Sequence, residues 1–327
     1  MQTTQPVKIR RRRFAVCLLV CVAITCLWQL PPARPAIASI IRATSNAARD
    51  TEAIQRAIDA APGGFIWLSG NVTLTDTITL SAHRTRIDGD AVLTPAFTGK
   101  PMLRVLNADY CEIGGGLFFD GKWADGVAAI ELRGALLGSF TLRGDRLHLG
   151  VYLNSADAAQ NCAMNHLWVT IRNGMTGLRF NGRQGVHTAN NWVHRFEWWS
   201  AASGNPVAVD FVKYADNNRI TGAYVFLNTA AATGFVFNSH SPKADVEVYE
   251  NHLDAIIEST APGTIAIKGN RTWKTIGNWP TFARVRLSGA ATPRLDIADD
   301  SDIVLIYSNL NGTMTGVPQV SDRQLRQ

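Results

Sequence analysis

Along most of this chain apolar and polar residues alternate in short runs with a period of two, the pattern of strands that bury one face. The clusters Val151-Tyr152-Leu153-Asn154-Ser155, Leu178-Arg179-Phe180-Asn181-Gly182 and Phe235-Val236-Phe237-Asn238-Ser239 repeat one unit, apolar-x-apolar followed by asparagine. Ile130-Glu131-Leu132, Val209-Asp210-Phe211, Ile265-Ala266-Ile267 and Val285-Arg286-Leu287 align in the same column. Successive clusters stand about 20 to 31 residues apart, a spacing that suits solenoid coils with loops of variable length. In each triplet the outer residues point into the coil and the middle one points out. The pattern thus predicts an outward stripe of Glu131, Tyr152, Arg179, Asp210, Val236, Ala266 and Arg286. Asn154, Asn181 and Asn238 predict a ladder of stacked amides, interrupted at Val212 and Lys268. A second set, Asn165, Asn191 and Asn218, marks another bend in each coil.

Helical periodicity is confined to Asp50-Thr51-Glu52-Ala53-Ile54-Gln55-Arg56-Ala57-Ile58-Asp59-Ala60-Ala61. Ala53, Ile54, Ala57, Ile58 and Ala61 share one apolar face, and Gly63-Gly64 leads into the strand Phe65-Ile66-Trp67-Leu68. With Ile87-Asp88-Gly89-Asp90 further on, this stretch resembles the opening of the pectate lyase superfamily, the pectin lyase-like proteins, except that Leu68-Ser69-Gly70 stands where a proline is usual. The resemblance implies an all-β fold, a single-stranded right-handed parallel β-helix built for polysaccharides, with helix 50–61 capping one end. An antiparallel sandwich would also yield many short strands, but it accounts for neither the helix nor the repeated unit.

The resemblance stops short of the chemistry. The tryptophan-isoleucine-aspartate-histidine and paired-arginine segments of pectate lyases are absent. Asp299-Asp300 follows Ile267-Lys268-Gly269, the wrong order for a polygalacturonase, whose histidine element is also missing. No catalytic residue carries over from either family.

The first 38 residues read as an export signal: Lys8 and Arg10 to Arg13, an apolar run from Phe14 to Leu30, then Pro31-Pro32 and Ala36-Ile37-Ala38. An uncleaved anchor is the second reading, and only in that case is a membrane a partner. Cleavage after Ala38 leaves residues 39–310 as the β-helix and 311–327 as a polar tail, in a secreted or periplasmic protein. The formal net charge of +6 leaves with Lys8, Arg10 to Arg13 and Arg34, so nothing in the charge points to nucleic acid. Cys17, Cys21 and Cys26 leave as well. Cys111 and Cys162, about two coils and therefore roughly 10 Å apart, are expected as buried free thiols.

Three constellations carry candidate chemistry. In the stripe, Glu131, Tyr152, Arg179 and Asp210 face a glycan or form a ladder of alternating charges. Glu131 and Asp210 would stand on the order of 14 Å apart at the backbone, beyond the roughly 5 to 9.5 Å of paired glycosidase carboxylates. Asp245, Glu247, Glu250, Asp254 and Glu258, with His240 and His252, form an acidic cluster suited to calcium or to a solvated edge. His187, Trp192, His194, Phe196, Glu197, Trp198 and Trp199 form an aromatic one, in which at least one of the two adjacent indoles is either exposed, where it can stack on a sugar, or covered by a loop that packs onto the coil. The expected function is a polysaccharide lyase or glycoside hydrolase, using Glu131, Tyr152, Arg179, Asp210, His194 or Glu197, with Trp198, Trp199 and Arg286 as sugar contacts. The alternative is a non-catalytic binder of glycan or protein. Solenoids also trimerise along their sides, which leaves the oligomeric state open.

Overall fold

The computed structural model of the protein describes residues 37–44, 46–239, 248–270, 281–297 and 303–309. The described residues wind as a parallel β-helix whose strands form three sheets. Sheet A has 14 strands and includes Ser139–Asp145, His166–Gly174, Trp192–Ser200, Arg219–Leu227 and His252–Ser259. Sheet B has nine, among them Ile78–Leu80, Leu103–Leu106, Ala128–Arg133, Leu149–Asn154, Thr176–Asn181, Val207–Lys213 and Thr233–Phe237. Sheet C has four two-residue strands, Cys162–Ala163, Thr188–Ala189, Ala215–Asp216 and Val248–Tyr249. Strands of neighbouring coils pair in parallel, which rules out the sandwich. Inward residues stack rung on rung: the Phe180, Phe211 and Phe237 rings lie 4.8 Å apart at each step.

The helix spans Ala47–Ala60 and so begins three residues before the periodicity suggested. Asn46 caps it by accepting from Arg49 N at 3.0 Å. Ile54 and Ile58 enter the core, and the polar residues of the same stretch close the exposed end. Gln55 donates to Thr79 O at 3.0 Å and accepts from Thr79 N at 2.8 Å, so one side-chain amide does for the terminal strand of sheet B what a further strand would. Thr51 Oγ1 accepts from Thr75 N, and buried Asp50 accepts from Thr44 N and Oγ1. Gly89, at φ +144, lies against the preceding coil, where a Cβ would stand 1.8 Å from Leu68 O. The first strand, Ile37–Arg42, begins two residues inside the expected signal, whose residues 1–36 lie outside the described residues.

Three expectations are corrected. The asparagine ladder runs through Asn165, Asn191, Asn218 and Asn251, whose Nδ2 to Oδ1 steps measure 2.9, 2.9 and 3.0 Å. Each amide also donates to a carbonyl of the coil before it, at Ala135, Cys162, Thr188 and Ala215. Asn154 and Asn181 donate instead to Glu131 and Tyr152. In the stripe, Val236 is paired with Lys268, and Ala266 is buried. Arg286 belongs to sheet A, beside Ile256. Cys111 and Cys162 are buried free thiols, with burial pushing them up to about 11 and about 12. Among the described residues no helix is long and apolar enough to cross a membrane.

Candidate functional site

Register sets one outward column on sheet B: Arg104, Glu131, Tyr152, Arg179, Asp210, Val236, Lys268, one residue per coil. The sequence-predicted run from Glu131 to Asp210 is thus brought together. Arg104 extends it, and its triplet Leu103-Arg104-Val105 carries the same apolar-x-apolar signal.

The carboxylates of this column are buried beneath their neighbours. Glu131 is 3% exposed, and its oxygens accept from Arg104 Nε at 2.6 Å, Arg133 Nη2 at 3.0 Å and Nε at 3.1 Å, and Asn154 Nδ2 at 2.8 Å. Three of these donors converge on Oε1 and Arg104 holds Oε2, so the carboxylate is ionised, paired and shielded from solvent. Asp210 accepts from Arg179 Nε at 3.0 Å, while its Oδ1 is buried without a partner among the described residues. The arginines are the exposed members of these pairs: the Arg179 side chain is 40% exposed against 8% for Asp210. Between them Tyr152 OH accepts from Asn181 Nδ2 at 2.9 Å. Burial pushes the Tyr152 phenol above its usual range, against the opposing effects of Asn181 and the Arg179 charge, so it stays protonated at neutral pH.

Arg104, Arg133, Tyr152, Arg179, Lys100 and Asp157, with Gly99 and Gly126 at the rim, line a cleft of about 220 Å³. Lys100 is tied to Asp76 at 2.6 Å. Arg104 and Arg179 each spend Nε on a carboxylate and keep the terminal ends of their forks. Asp157 is the exposed carboxylate of the cleft, touched by Asn154 Nδ2 at 3.3 Å. Such a surface presents guanidinium and phenol donors over buried negative charge, an arrangement suited to a carboxylate ligand. Sequence reasoning missed Lys100, Arg104, Arg133 and Asp157.

The remaining expected residues lie elsewhere. His194 and Glu197 are on the Trp192–Ser200 strand of sheet A, away from the column. Trp198 is fully buried, its Nε1 without a partner, and cannot touch a sugar, because it is the inward member of the pair. Trp199 is half-buried beside Tyr224, with ring centroids 6.1 Å apart. Arg286 faces Asp254 at 3.8 Å. His187 Nδ1 lies 2.7 Å from Asp216 Oδ1 at the edge of sheet C. Asp245, Glu247 and His240 fall outside the described residues. Glu250 occupies a left-handed turn at φ 54, and Glu258 accepts from Tyr224 OH. Among the described residues no three His, Cys, Asp or Glu side chains converge as a metal set.

No protein-family model matches the chain, and no curated protein does. Among solved structures it is similar to ORF18 of Geobacillus virus E2, at 13% identity and a TM-score of 0.49, over 95% of this chain and 66% of that one. It is also similar to the polygalacturonase from Erwinia carotovora ssp. carotovora, at 11% identity and a TM-score of 0.45, over 84% of this chain and 98% of that one. The chain thus spans about two thirds of the length of ORF18.

Proposed function

We propose that this β-helix is an exported polysaccharide-active protein that takes an acidic glycan into the sheet B cleft. The observation that carries this reading is the grouping of Arg104, Arg133, Arg179 and Tyr152 around one cleft, with Glu131 and Asp210 buried behind them. A uronate carboxylate meets the guanidinium forks there, and the coil axis offers further rungs to an extended chain.

If the bound glycan is cleaved, elimination suits these residues better than hydrolysis. Glu131 and Asp210 are three rungs apart, buried, and each ion-paired to an arginine, so they do not form the closely spaced, accessible acid and base that a hydrolase needs. In elimination, Arg179 draws charge from the uronate carboxylate, and Asp157 takes the proton next to it. The bond to the glycosidic oxygen then breaks as the ring double bond forms, and protonated Tyr152 donates to the departing oxygen. The second reading, a binder without catalysis, is favoured by the ion-paired state of every acid in the column. Assaying the folded protein on uronate-rich and neutral polysaccharides, for unsaturated ends and reducing ends separately, tests both. Unsaturated ends support elimination, binding without products supports the binder, and hydrolytic ends alone overturn the assignment of roles.

A further inference from the structure

Sheet A carries a separate constellation. Thr141, Arg143, Trp168, Thr170, Arg195 and Glu197 line an open trough of about 720 Å³. Its floor is two outward columns, Thr141 beside Trp168 beside Arg195, and Arg143 beside Thr170 beside Glu197. Three rungs at 4.7–4.9 Å each make a platform about 10 Å long.

A β-bulge shapes this platform. Leu167 pairs with Val193 and Trp168 with Arg195, so His194 is the extra residue. Its ring stacks on Trp168 at 4.8 Å and 19°, and its Nε2 lies 2.7 Å from His166 Nδ1. The indole is therefore braced from behind as a fixed plate. Glu197 is held in place too: Arg195 Nε and Nη2 both reach Oε1, at 2.9 and 2.6 Å. Among the described residues its Oε2 has only Thr170 Oγ1, at 3.5 Å, and remains an available acceptor. Exposed Arg143 makes no ion pair among the described residues and keeps all its donors.

We propose that this trough is a second glycan site, which binds a neutral pyranose by stacking it on Trp168 while Glu197 Oε2 and Arg143 take neighbouring hydroxyls. A plate with one acceptor and one fork of donors matches a ring with an apolar face and a polar rim. Glu197 Oε2 offers an acceptor where the sheet B cleft offers mainly guanidinium donors, so the two sites place different demands on a sugar. The inference does not depend on the reading of sheet B.

The test is calorimetric titration of the protein with cello-, xylo-, manno- and galacto-hexaoses, beside a uronate hexamer. The expected result is binding of at least one neutral hexamer at one site per chain, weakened about tenfold by Arg143→Ala and by Trp168→Ala. Uronate binding should be unchanged in both variants. Because Arg143 is exposed and unpaired, its variant folds even if the tryptophan variant does not. No neutral binding, or neutral binding indifferent to Arg143→Ala, overturns the proposal. Absence of uronate binding by the parent protein would count against the sheet B cleft alone, whereas loss of uronate binding in the Arg143→Ala variant would place the acid in the trough and overturn the neutral-sugar assignment.

Discussion

Arg104 Nε donates to Glu131 Oε2 across 2.6 Å, and the carboxylate that receives it is only 3% exposed although its backbone position faces outward. A charge so placed holds coils together rather than acting on a substrate. Its desolvation is offset by two arginines and an amide, and removing it strands cations that remain only partly hydrated.

Replacing Glu131 is accordingly expected to act on stability. Glu131→Ala should lower the free energy of unfolding by about 3 kcal/mol, at the lower end for a broken buried pair because the Arg104 and Arg133 side chains are about a quarter exposed. Adding Arg104→Ala should recover part of that loss. Urea denaturation of the single and double variants measures it, and a Glu131→Ala protein as stable as the parent would show that the pair contributes nothing.

The asparagine ladder makes a stronger demand. Asn191→Ala leaves Asn165 N and Nδ2 without their acceptor and Cys162 O without its donor, all in buried surroundings. A loss of about 3 kcal/mol is expected. Asn154→Ala, away from the ladder, should spare the amide protection of these turns in hydrogen exchange, whereas Asn191→Ala should abolish it.

Much of this was legible in the chain, for physical reasons that also mark where reading failed. From Glu131 to Val236 each strand alternates large apolar and outward residues, so the period of two fixes the register. At Ile265 to Gly269 the inward residues are Ile267 and Gly269, and a glycine does not announce itself as core. Val285-Arg286-Leu287 alternates just as well, but alternation says nothing about which sheet a strand joins. Both asparagine sets recur once per coil. What selects Asn165, Asn191, Asn218 and Asn251 is the left-handed residue before each, Met164, Asn190, Asn217 and Glu250, a backbone feature that side-chain identity only partly reveals. The cleft escaped in part because Lys100 and Asp157 lie on loops and Arg133 at a strand end, outside the repeated triplet, although Leu103-Arg104-Val105 carries the triplet signal and was overlooked.

Acidification should weaken the fold. Burial, with His194 beside it, lowers the His166 pKa below 6.5, and burial with Arg219 nearby lowers that of His252. The unfolded chain therefore takes up protons near pH 6.5 that the folded chain refuses. Stability is intact above that value, falls as pH drops through it, and levels off once the folded histidines titrate. Thermal melts between about pH 7.5 and 5.5 should show a smaller decline in the His166→Asn, His252→Asn double variant than in the parent. Equal declines would contradict the assignment.

Tyr152→Phe removes the hydroxyl and leaves Asn181 Nδ2 without its acceptor. If unsaturated ends are produced, this variant should lose about 10²-fold in kcat with little change in KM, as expected for a proton donor used only as the oxygen departs. A loss confined to KM would make Tyr152 a binding group.

The account rests most directly on the charge of the ligand that enters the cleft. The measurement to make is calorimetric titration of the protein with a uronate oligomer and with its fully methyl-esterified counterpart of equal length, at two salt concentrations. Binding of the free acid that weakens with salt, and at least tenfold poorer binding of the ester at the same site, is the predicted result. Equal affinity for the two, or none for the acid, would contradict the assignment of the sheet B cleft to an acidic glycan.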